Sequence, residues 1–367
     1  MSADEVTDTS SATERRLQDA GLGMSAAHLV GVRAVALHAE REVSVARDLT
    51  DEDRGLVALG EWLVARGYRF VTPTPATHHR VNARAANAEA HSVEDVLGWS
   101  RPFRAGALPE LERLLAAGGV LRRDGEACRS AVRFSTLSGP RDEPEEPTAL
   151  FMHSAFPTRE ASSVFFGPDT YRFVAALRRH VRPARRLVDV GCGSGAGGIA
   201  MLDRAAHVVL ADINPDALRV ARINRAINGA ALDAVSLIES DVLARLDAEP
   251  IDAVIANPPY LADRERRTYR DGGGELGTAL ALRIVDEALD RLAPGGQLVL
   301  YTGSPVVGGV HPLHEAVRPA LARRPCRARW EEVDPDVFGE ELDPQPTPSA
   351  YDRVDRIAVI TLVVDVD

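Results

Sequence analysis

The sequence predicts an α/β fold, with an open and mostly parallel sheet in its C-terminal part and a mainly helical domain carrying a small β-hairpin before it. Three observations indicate this class. Short apolar runs alternate with helical patterns from Leu187 onward, a glycine-rich turn follows the first run, and a proline pair follows another. At 367 residues the chain is longer than one typical domain. We expect a disordered tail over residues 1–14, a helical domain over 15–157 and an α/β domain over 158–367.

Composition excludes several classes of protein. The net charge is -11 and both halves of the chain are acidic, which argues against a broad nucleic-acid-binding face but leaves a local basic patch open. Three widely spaced cysteines predict neither a disulfide framework nor a metal site, which favours a reducing cytosol. The first 16 residues lack the apolar core of a signal peptide, and no apolar run approaches the ~18 residues that span a bilayer. We therefore expect a cytoplasmic protein without a membrane partner.

The N-terminal half reads as helices followed by short strands. A helical pattern around Leu29–Ala36 precedes a second helix that Thr50 caps and Gly67 ends. Residues 72–84, with their prolines and threonines, predict a loop or an extended arm. Two short helices at 93–97 and 108–117 follow, and then strands at 119–123, 131–137 and 147–154. The acidic, proline-rich stretch between the last two strands predicts a hairpin loop.

Two polar stretches of this half are candidates for a role in recognition: His78-His79-Arg80 and Trp99–Phe103. Their simpler interpretations are a solvated loop and a capped, packed turn. A helical unit with a small hairpin also allows a winged-helix arrangement, which would favour nucleic acid, although the acidity of this half weakens that idea.

A glycine turn follows the strand Leu187–Val190. The order is Asp189-x-Gly191-x-Gly193-x-Gly195, and glycines let the backbone turn tightly and approach a ligand closely. This spacing departs from the G-x-G-x-x-G of dinucleotide sites, and an acid stands two positions before the first glycine. A cationic sulfonium with an amino-acid tail is stabilised by such an acid, whereas a pyrophosphate is not.

Acids also end the next two predicted strands. Asp212, followed by Ile213, comes after the strand 207–210, where a carboxylate can bind both ribose hydroxyls. Asp241, followed by Val242, comes after the strand 235–239 and can accept a hydrogen bond from an adenine amine. Each acid alone is also typical of a helix cap. Three acids at three successive strand ends favour a nucleoside site over three independent caps.

The strand Ile251–Ala256 runs directly into Asn257-Pro258-Pro259-Tyr260, and two prolines force the chain out of the sheet at its carboxyl edge. The Asn257 side-chain oxygen and the Pro258 carbonyl can each accept one N–H bond from a planar NH₂ group. That arrangement aims the nitrogen lone pair at an electrophile, and the Tyr260 ring offers a stacking surface. The motif therefore predicts chemistry on a planar nitrogen.

From Val164 to Asp367 the chain resembles the class I S-adenosylmethionine-dependent methyltransferases, and its N-P-P-Y motif resembles their amino-methyltransferase branch. The resemblance implies a seven-stranded Rossmann-like sheet whose last strand is antiparallel. It implies S-adenosylmethionine as cofactor. The turn Gly167-Pro168-Asp169 predicts the start of a helix, and the functional alternative places Phe166–Thr170 as a lid over the cofactor. The implied cofactor-binding residues are Phe166, Thr170, Asp189, Gly191, Cys192, Gly193, Asp212, Ile213, Asp241, Val242 and Asn257. The implied catalytic residues are Asn257, Pro258, Pro259 and Tyr260.

The stretch 272–296 resembles the release-factor glutamine methyltransferases, which favours a protein glutamine amide as acceptor. A base amine in RNA or DNA is the alternative that the loop arginines Arg264, Arg266, Arg267 and Arg270 favour. These side chains could bind phosphate or an acidic protein partner, or the loop could be only solvated. A small-molecule amine or amide remains open. A donor-binding protein without catalysis is disfavoured by the intact Asn257 and Tyr260, and an NAD-dependent oxidoreductase is disfavoured by the glycine spacing.

Overall fold

The computed structural model describes residues 49–138, 149–158, 160–263, 265–344 and 348–367. The predicted tail at 1–14, the helical pattern around Leu29–Ala36 and the predicted hairpin loop at 139–147 lie outside these ranges. The described residues belong to one compact unit that begins at Leu49. No helix among them combines the length and apolarity needed to cross a bilayer.

Helices dominate the first part of the described chain: α1 (Asp51–Ala65), α2 (Pro75–Asn82), α3 (Val93–Leu97) and α4 (Pro109–Ala117). The predicted cap of α1 is confirmed, because the Thr50 side chain accepts the Asp53 N–H at 3.1 Å and the Asp53 carboxylate accepts the Thr50 N–H at 3.2 Å. Gly67, in the left-handed region with φ +68°, follows the helix as predicted.

Helix α2 corrects the prediction of a loop or arm over residues 72–84. The Thr74 hydroxyl accepts the Thr77 N–H at 3.2 Å, and Pro75 occupies the first turn, where its missing N–H costs nothing. The solvated-loop interpretation is also wrong for His78, which is 1% exposed and packs 4.1 Å from the Phe156 ring. The prolines and threonines that suggested a loop are the start signal of a helix.

Five short strands complete this part: β1 (Phe103–Arg104), β2 (Leu121–Asp124), β3 (Ala127–Ser130), β4 (Val132–Leu137) and β5 (Ala149–Ser154). The predicted hairpin is confirmed, since β4 and β5 pair antiparallel with Val132 opposite Ser154. Strands β1, β3 and β2 form a separate three-stranded sheet in that order, which the sequence did not predict.

The second part is built on a seven-stranded sheet: β6 (Ala184–Val190), β7 (Ala205–Asp212), β8 (Val235–Glu239), β9 (Ile251–Ala256), β10 (Leu292–Val306), β11 (Cys326–Asp334) and β12 (Arg356–Val366). The strand order is β11-β12-β10-β9-β6-β7-β8. Neighbours from β10 to β8 pair in parallel, and β12 lies antiparallel to both β10 and β11. The predicted seven-stranded α/β sheet with an antiparallel last strand is confirmed.

Helices cover both faces of this sheet: α5 (Pro168–His180), α6 (Ala196–Ile199), α7 (Pro215–Ile227), α8 (Ala279–Arg291) and α9 (Pro312–Leu321). Because strand side chains alternate, Leu187 joins the core cluster of α5 and α7, while Val188 joins that of α8 and α9. Short 3₁₀ turns stand at 85–87, 339–342 and 350–353. The sheet is thus buried on both faces, and its carboxyl edge is left for loops.

Helix α7 also joins the two parts of the chain. The Asn224 carboxamide accepts the Met152 N–H at 2.7 Å and donates to the Met152 carbonyl at 2.9 Å. Asn228 makes the same pair of bonds with Leu150, at 3.0 and 2.8 Å. Two amides on one face of α7 therefore satisfy the free edge of β5 as a neighbouring strand would.

Candidate active site

The carboxyl ends of β6, β7, β8 and β9 border a cavity of about 480 Å³, within the size range of small-molecule sites. Most of the predicted site residues line it: Thr170, Asp189, Gly191, Cys192, Gly193, Asp212, Ile213, Asp241, Val242, Asn257, Pro258, Pro259 and Tyr260. The fold brings them together because parallel strands end at the same edge of the sheet. Their individual roles stay predictions.

Phe166 is the exception, and its predicted role as a lid over the donor is wrong. Its side chain is fully buried and stacks on His153 at 5.1 Å and on Phe151 at 5.8 Å, inside the core. Phe165 lines the cavity instead. Adjacent residues of an extended segment point to opposite sides, so the prediction selected the wrong member of the pair.

The glycines of the turn after β6 lie in two different environments. Gly191 and Gly193 have φ values of +66° and +53°, and a Cβ added at either would meet no atom within 4 Å. Their exposed backbone faces open space on the cavity wall. Gly195, with φ +77°, instead packs against the side chains of Ile199 and Leu210, which a Cβ would approach to 3.2 Å. Two glycines thus border the cavity, and the third closes the turn onto the sheet.

Asp212 ties that turn to the end of β7. Its carboxylate is 8% exposed and accepts the Gly193 N–H at 2.9 Å through one oxygen and the Asn214 N–H at 2.9 Å through the other. Burial raises the pKa of Asp212, and the two backbone donors oppose that rise. The acid is therefore fixed in place at the cavity wall.

Asp189 is more deeply buried, at 1% exposure, and accepts the Gly198 N–H at 2.7 Å. Burial raises the pKa of its carboxyl to about 7, with a small further rise from the nearby Asp212. Among the described residues no arginine or histidine forms an ion pair with it. A cavity-wall carboxyl whose pKa is raised by burial suits a ligand that carries a positive charge, because that charge stabilises the ionised carboxylate.

The end of β8 offers a different surface. Asp241 is half exposed and forms an ion pair with Arg283 at 2.9 Å. Ile213 keeps 54% of its surface exposed although it lines the cavity, and Val242, which is buried and has φ +51°, lines the same cavity. Exposed apolar surface next to a carboxylate suits a flat ring that carries an amine. Together with Asp189 and Asp212, this donor set fits S-adenosylmethionine.

The turn after β9 presents two hydrogen-bond acceptors. Asn257 and Pro258 line the cavity. In the part of the chain that the structure describes, no protein group donates a hydrogen bond to the Asn257 carboxamide or to the Pro258 carbonyl. Buried or half-buried acceptors of this kind are normally satisfied, so both are available to a ligand that carries two N–H groups.

Tyr260 ends that turn and is held firmly. It is 6% exposed, and its hydroxyl donates to Oδ2 of Asp169 at 2.6 Å. The Tyr301 hydroxyl donates to Oδ1 of the same carboxylate at 2.9 Å. Burial and the negative charge of Asp169 raise the pKa of Tyr260 far above its usual value. Asp169 lies within the predicted lid at 166–170 but was given no role of its own, and its only signal was its place in the first turn of α5.

The loop after Tyr260 uses its arginines internally. Asp263 accepts two bonds from the Arg267 guanidinium, at 2.9 and 2.5 Å, and this pairing lowers the pKa of the Asp263 carboxyl. Arg270 pairs with Glu341 and lies 3.4 Å from Asp263. Arg266 is exposed and lines the cavity, whereas Arg264 lies outside the described residues. Two of the four predicted anion-binding side chains are therefore already neutralised.

Residues that precede α5 form a further part of the cavity wall: Pro75, Phe156, Pro157 and Thr158. The Tyr269 hydroxyl donates to the Thr158 carbonyl at 3.2 Å, which ties the loop after Tyr260 to this wall. The cavity is thus closed by both parts of the chain.

Residues 169–307 match the family model described as "Methyltransferase small domain". The predicted resemblance of this part of the chain to S-adenosylmethionine-dependent methyltransferases is confirmed, and that resemblance implies S-adenosylmethionine as cofactor. The release factor glutamine methyltransferase of Deinococcus radiodurans is 35% identical over 178 residues, which are 45% of this chain and 58% of that protein. The protein of the same name from Moorella thermoacetica is 35% identical over 189 residues, 47% of this chain and 63% of that protein.

The ribosomal RNA small subunit methyltransferase C of Chromohalobacter salexigens is 34% identical over 206 residues, 54% of this chain and 58% of that protein. The chain thus spans about three fifths of the length of these relatives. Among solved structures, the tRNA m1G37 methyltransferase of M. jannaschii aligns with a TM-score of 0.43 and 18% identity, over 67% of this chain and 62% of that one.

Proposed function

We propose that this protein transfers a methyl group from S-adenosylmethionine to the side-chain amide nitrogen of a glutamine in a protein. The observation that carries the proposal is the pair of available acceptors, the Asn257 carboxamide oxygen and the Pro258 carbonyl, on the wall of a cavity that three strand-end acids share. We also propose that the chain divides near residue 157 into an acceptor-recognition part and a methyl-transfer part.

The donor side of the cavity would hold the cofactor, whose sulfonium supplies an electrophilic methyl group. Asp212 would bind the ribose hydroxyls, and Asp189 would place its negative charge near the cationic amino-acid end. Ile213 and Val242 would pack against the adenine ring, and Asp241 would accept a bond from its amine. Fixing the cofactor in this way sets the position from which the methyl group leaves.

On the acceptor side, Asn257 and Pro258 would each accept one N–H bond of the substrate amide. An amide nitrogen is a poor nucleophile because its lone pair is delocalised into the carbonyl. Two acceptors that hold both hydrogens favour a pyramidal nitrogen and aim its lone pair at the methyl carbon. Much of the rate would come from this orientation. A strong general base is not required, because the N–H becomes acidic once the fourth substituent is attached.

Three observations favour a protein amide as acceptor. Two 35%-identical relatives bear the name release factor glutamine methyltransferase. The loop arginines Arg267 and Arg270 are paired with Asp263 and Glu341 rather than presented to a phosphate. The net charge of -11 opposes a nucleic-acid substrate. A base amine in ribosomal RNA is the second candidate, because the relative named for that activity aligns over 206 residues.

Incubation of the protein with methyl-labelled S-adenosylmethionine tests the proposal when a bacterial peptide-chain release factor and purified ribosomal RNA are offered separately. We expect label on a glutamine of the release factor, located by tryptic mass spectrometry, and none with Asn257→Ala. Label in RNA alone would replace the proposal by the second candidate. Label in neither acceptor, with the donor bound, would contradict both.

A further inference from the structure

We propose that Asp169 is a positioning residue that holds Tyr260, and through it the Asn257-Pro258 turn, in the geometry that accepts the substrate nitrogen. The inference rests on the proposed function. It assigns to a carboxylate in the first turn of α5 a task that neither the glycine turn nor the strand-end acids perform.

The Asp169 carboxylate accepts hydrogen bonds from two tyrosine hydroxyls. Asp169 is 7% exposed, and its two oxygens each accept one hydroxyl, from Tyr260 at 2.6 Å and from Tyr301 at 2.9 Å. Bonds from a hydroxyl to an ionised carboxylate are short and about twice as strong as neutral ones. Arg172 lies 3.4 Å from Oδ1 and supplies a partly exposed counter-charge. Two donors on opposite oxygens fix the carboxylate, which in turn fixes the Tyr260 hydroxyl.

The Tyr260 ring is confined as well. A Cβ added at Gly303 would lie 2.1 Å from Cδ2 of Tyr260, so β10 leaves a glycine where the ring packs. Phe338 meets the ring at an edge-to-face angle with centroids 5.9 Å apart. A ring held between these residues and anchored at its hydroxyl fixes the backbone of the turn three residues back, where Asn257 lies.

Helix α5 links this anchor to the donor side. Phe173, one turn after Asp169, packs against helix α6, which follows the glycine turn, and a Cβ added at Gly197 of that helix would lie 2.6 Å from the Phe173 ring. Both Asp169 and Phe173 line the cavity. The first turn of α5, from Asp169 to Phe173, thus sets the distance between the glycine turn on the donor side and the Asn257-Pro258 turn on the acceptor side. Asp169 makes the contact on the acceptor side.

Steady-state kinetics of four variants test the role: Tyr260→Phe, Asp169→Asn, the double variant, and Tyr68→Phe as the matched control. The Tyr68 hydroxyl is also buried and donates to the Phe134 carbonyl at 3.0 Å, in a different core cluster. We expect at least a tenfold fall in kcat for Tyr260→Phe and Asp169→Asn, with the KM for the donor within threefold. The double variant should be no slower than the slower single variant. Tyr68→Phe should keep kcat within twofold.

A double-mutant cycle for unfolding in urea provides a readout that does not depend on turnover. We expect the Asp169→Asn and Tyr260→Phe effects on the unfolding equilibrium constant to be coupled by at least fivefold, and those of Asp169→Asn and Tyr68→Phe to multiply independently. An active enzyme in which Tyr260→Phe keeps wild-type kcat, or in which the first pair shows no coupling, would overturn this role alone. A wild-type protein that methylates no acceptor would overturn the proposed function with it.

Discussion

The Asp212 carboxylate accepts the Gly193 N–H at 2.9 Å and so joins the end of β7 to the glycine turn after β6. Its other oxygen accepts the Asn214 N–H, also at 2.9 Å. The acid and the turn are therefore one structural unit, and a change in either alters the shape of the donor wall.

Asp212→Ala should weaken donor binding at least tenfold, because it removes both the proposed ribose acceptor and the bond to Gly193 that shapes the turn. Calorimetric titration with S-adenosylhomocysteine measures the effect. Asp216→Ala is the matched control, since Asp216 is an exposed acid in the first turn of α7 and should leave affinity within twofold. An unchanged dissociation constant for Asp212→Ala would remove its role in donor binding.

Gly193→Ala should cost about 1–2 kcal/mol of stability, because an L-residue at φ +53° is strained, and should also weaken donor binding by filling the cavity wall. Gly229→Ala separates the two effects. Gly229 has φ +65° after α7, with open space around its added Cβ, but lies outside the cavity. Both variants should lose similar thermal stability. Equal affinity for S-adenosylhomocysteine in both would show that Gly193 does not approach the ligand.

The buried Asp189 should make the protein less stable as pH rises from about 4 to 7. In that window the unfolded chain has released this proton, whereas the folded protein, with a pKa of about 7, retains it. The folded state therefore loses stability with increasing pH, by up to about 4 kcal/mol for a shift of this size. The free energy of unfolding in urea is measured for wild type and Asp189→Asn at about pH 4.5 and about pH 8. The difference between the two proteins at each pH isolates the effect of Asp189 from that of the other carboxyls. A pH-independent difference between the two proteins would contradict the raised pKa.

Asn257→Ala should abolish turnover while donor affinity stays within a few fold, because Asn257 is expected to bind the acceptor nitrogen rather than the bulk of the cofactor. Asn257→Asp keeps an oxygen acceptor at this position and should retain more activity than the alanine variant. Rates with labelled donor and calorimetry on the same preparations give both quantities. Wild-type turnover in Asn257→Ala would show that the acceptor assignment is wrong.

Gly303→Ala should displace the Tyr260 ring, since its Cβ would lie 2.1 Å from Cδ2. Overpacking of this kind costs about 1–3 kcal/mol, and turnover should fall with it. Gly118→Ala creates a comparable clash with Leu56, at 2.7 Å, far from the cavity. It should lose stability but retain kcat. Similar kcat values for the two variants would mean that the ring position does not matter to the reaction.

The sequence predicted the structure best where backbone chemistry allows few conformations. The strand Ile251–Ala256 and the turn after it were predicted because prolines cannot continue a strand. The cavity-lining position of Asp212 followed from its place at a strand end, since all parallel strands end at one edge. Helix α7 likewise has sequence signals at both ends, the Asn214 side chain that caps it and Gly229 with φ +65° just after it.

The sequence predicted the structure least well where tertiary contacts determine the orientation or role of a side chain. Nothing in the sequence distinguishes Phe165 from Phe166, because the face each presents depends on the register of an extended segment. Asp169 looked like an ordinary first-turn acid, and its two phenol donors come from residues 91 and 132 positions away. Helix α2 was missed because its capping threonine and first-turn proline are also the residues of loops.

The paired carboxamides of Asn224 and Asn228 have a consequence for how this protein can be re-engineered. They bind the backbone of β5 from a helix that belongs to the nucleotide-binding sheet. In a chimera that joins residues 49–157 to a relative without amides at those two helical positions, four main-chain groups would lose their hydrogen-bond partners. They are the N–H and C=O groups of Leu150 and Met152. Under the proposed division of the chain, an exchange of substrate preference therefore requires one face of α7 to be transplanted together with residues 49–157.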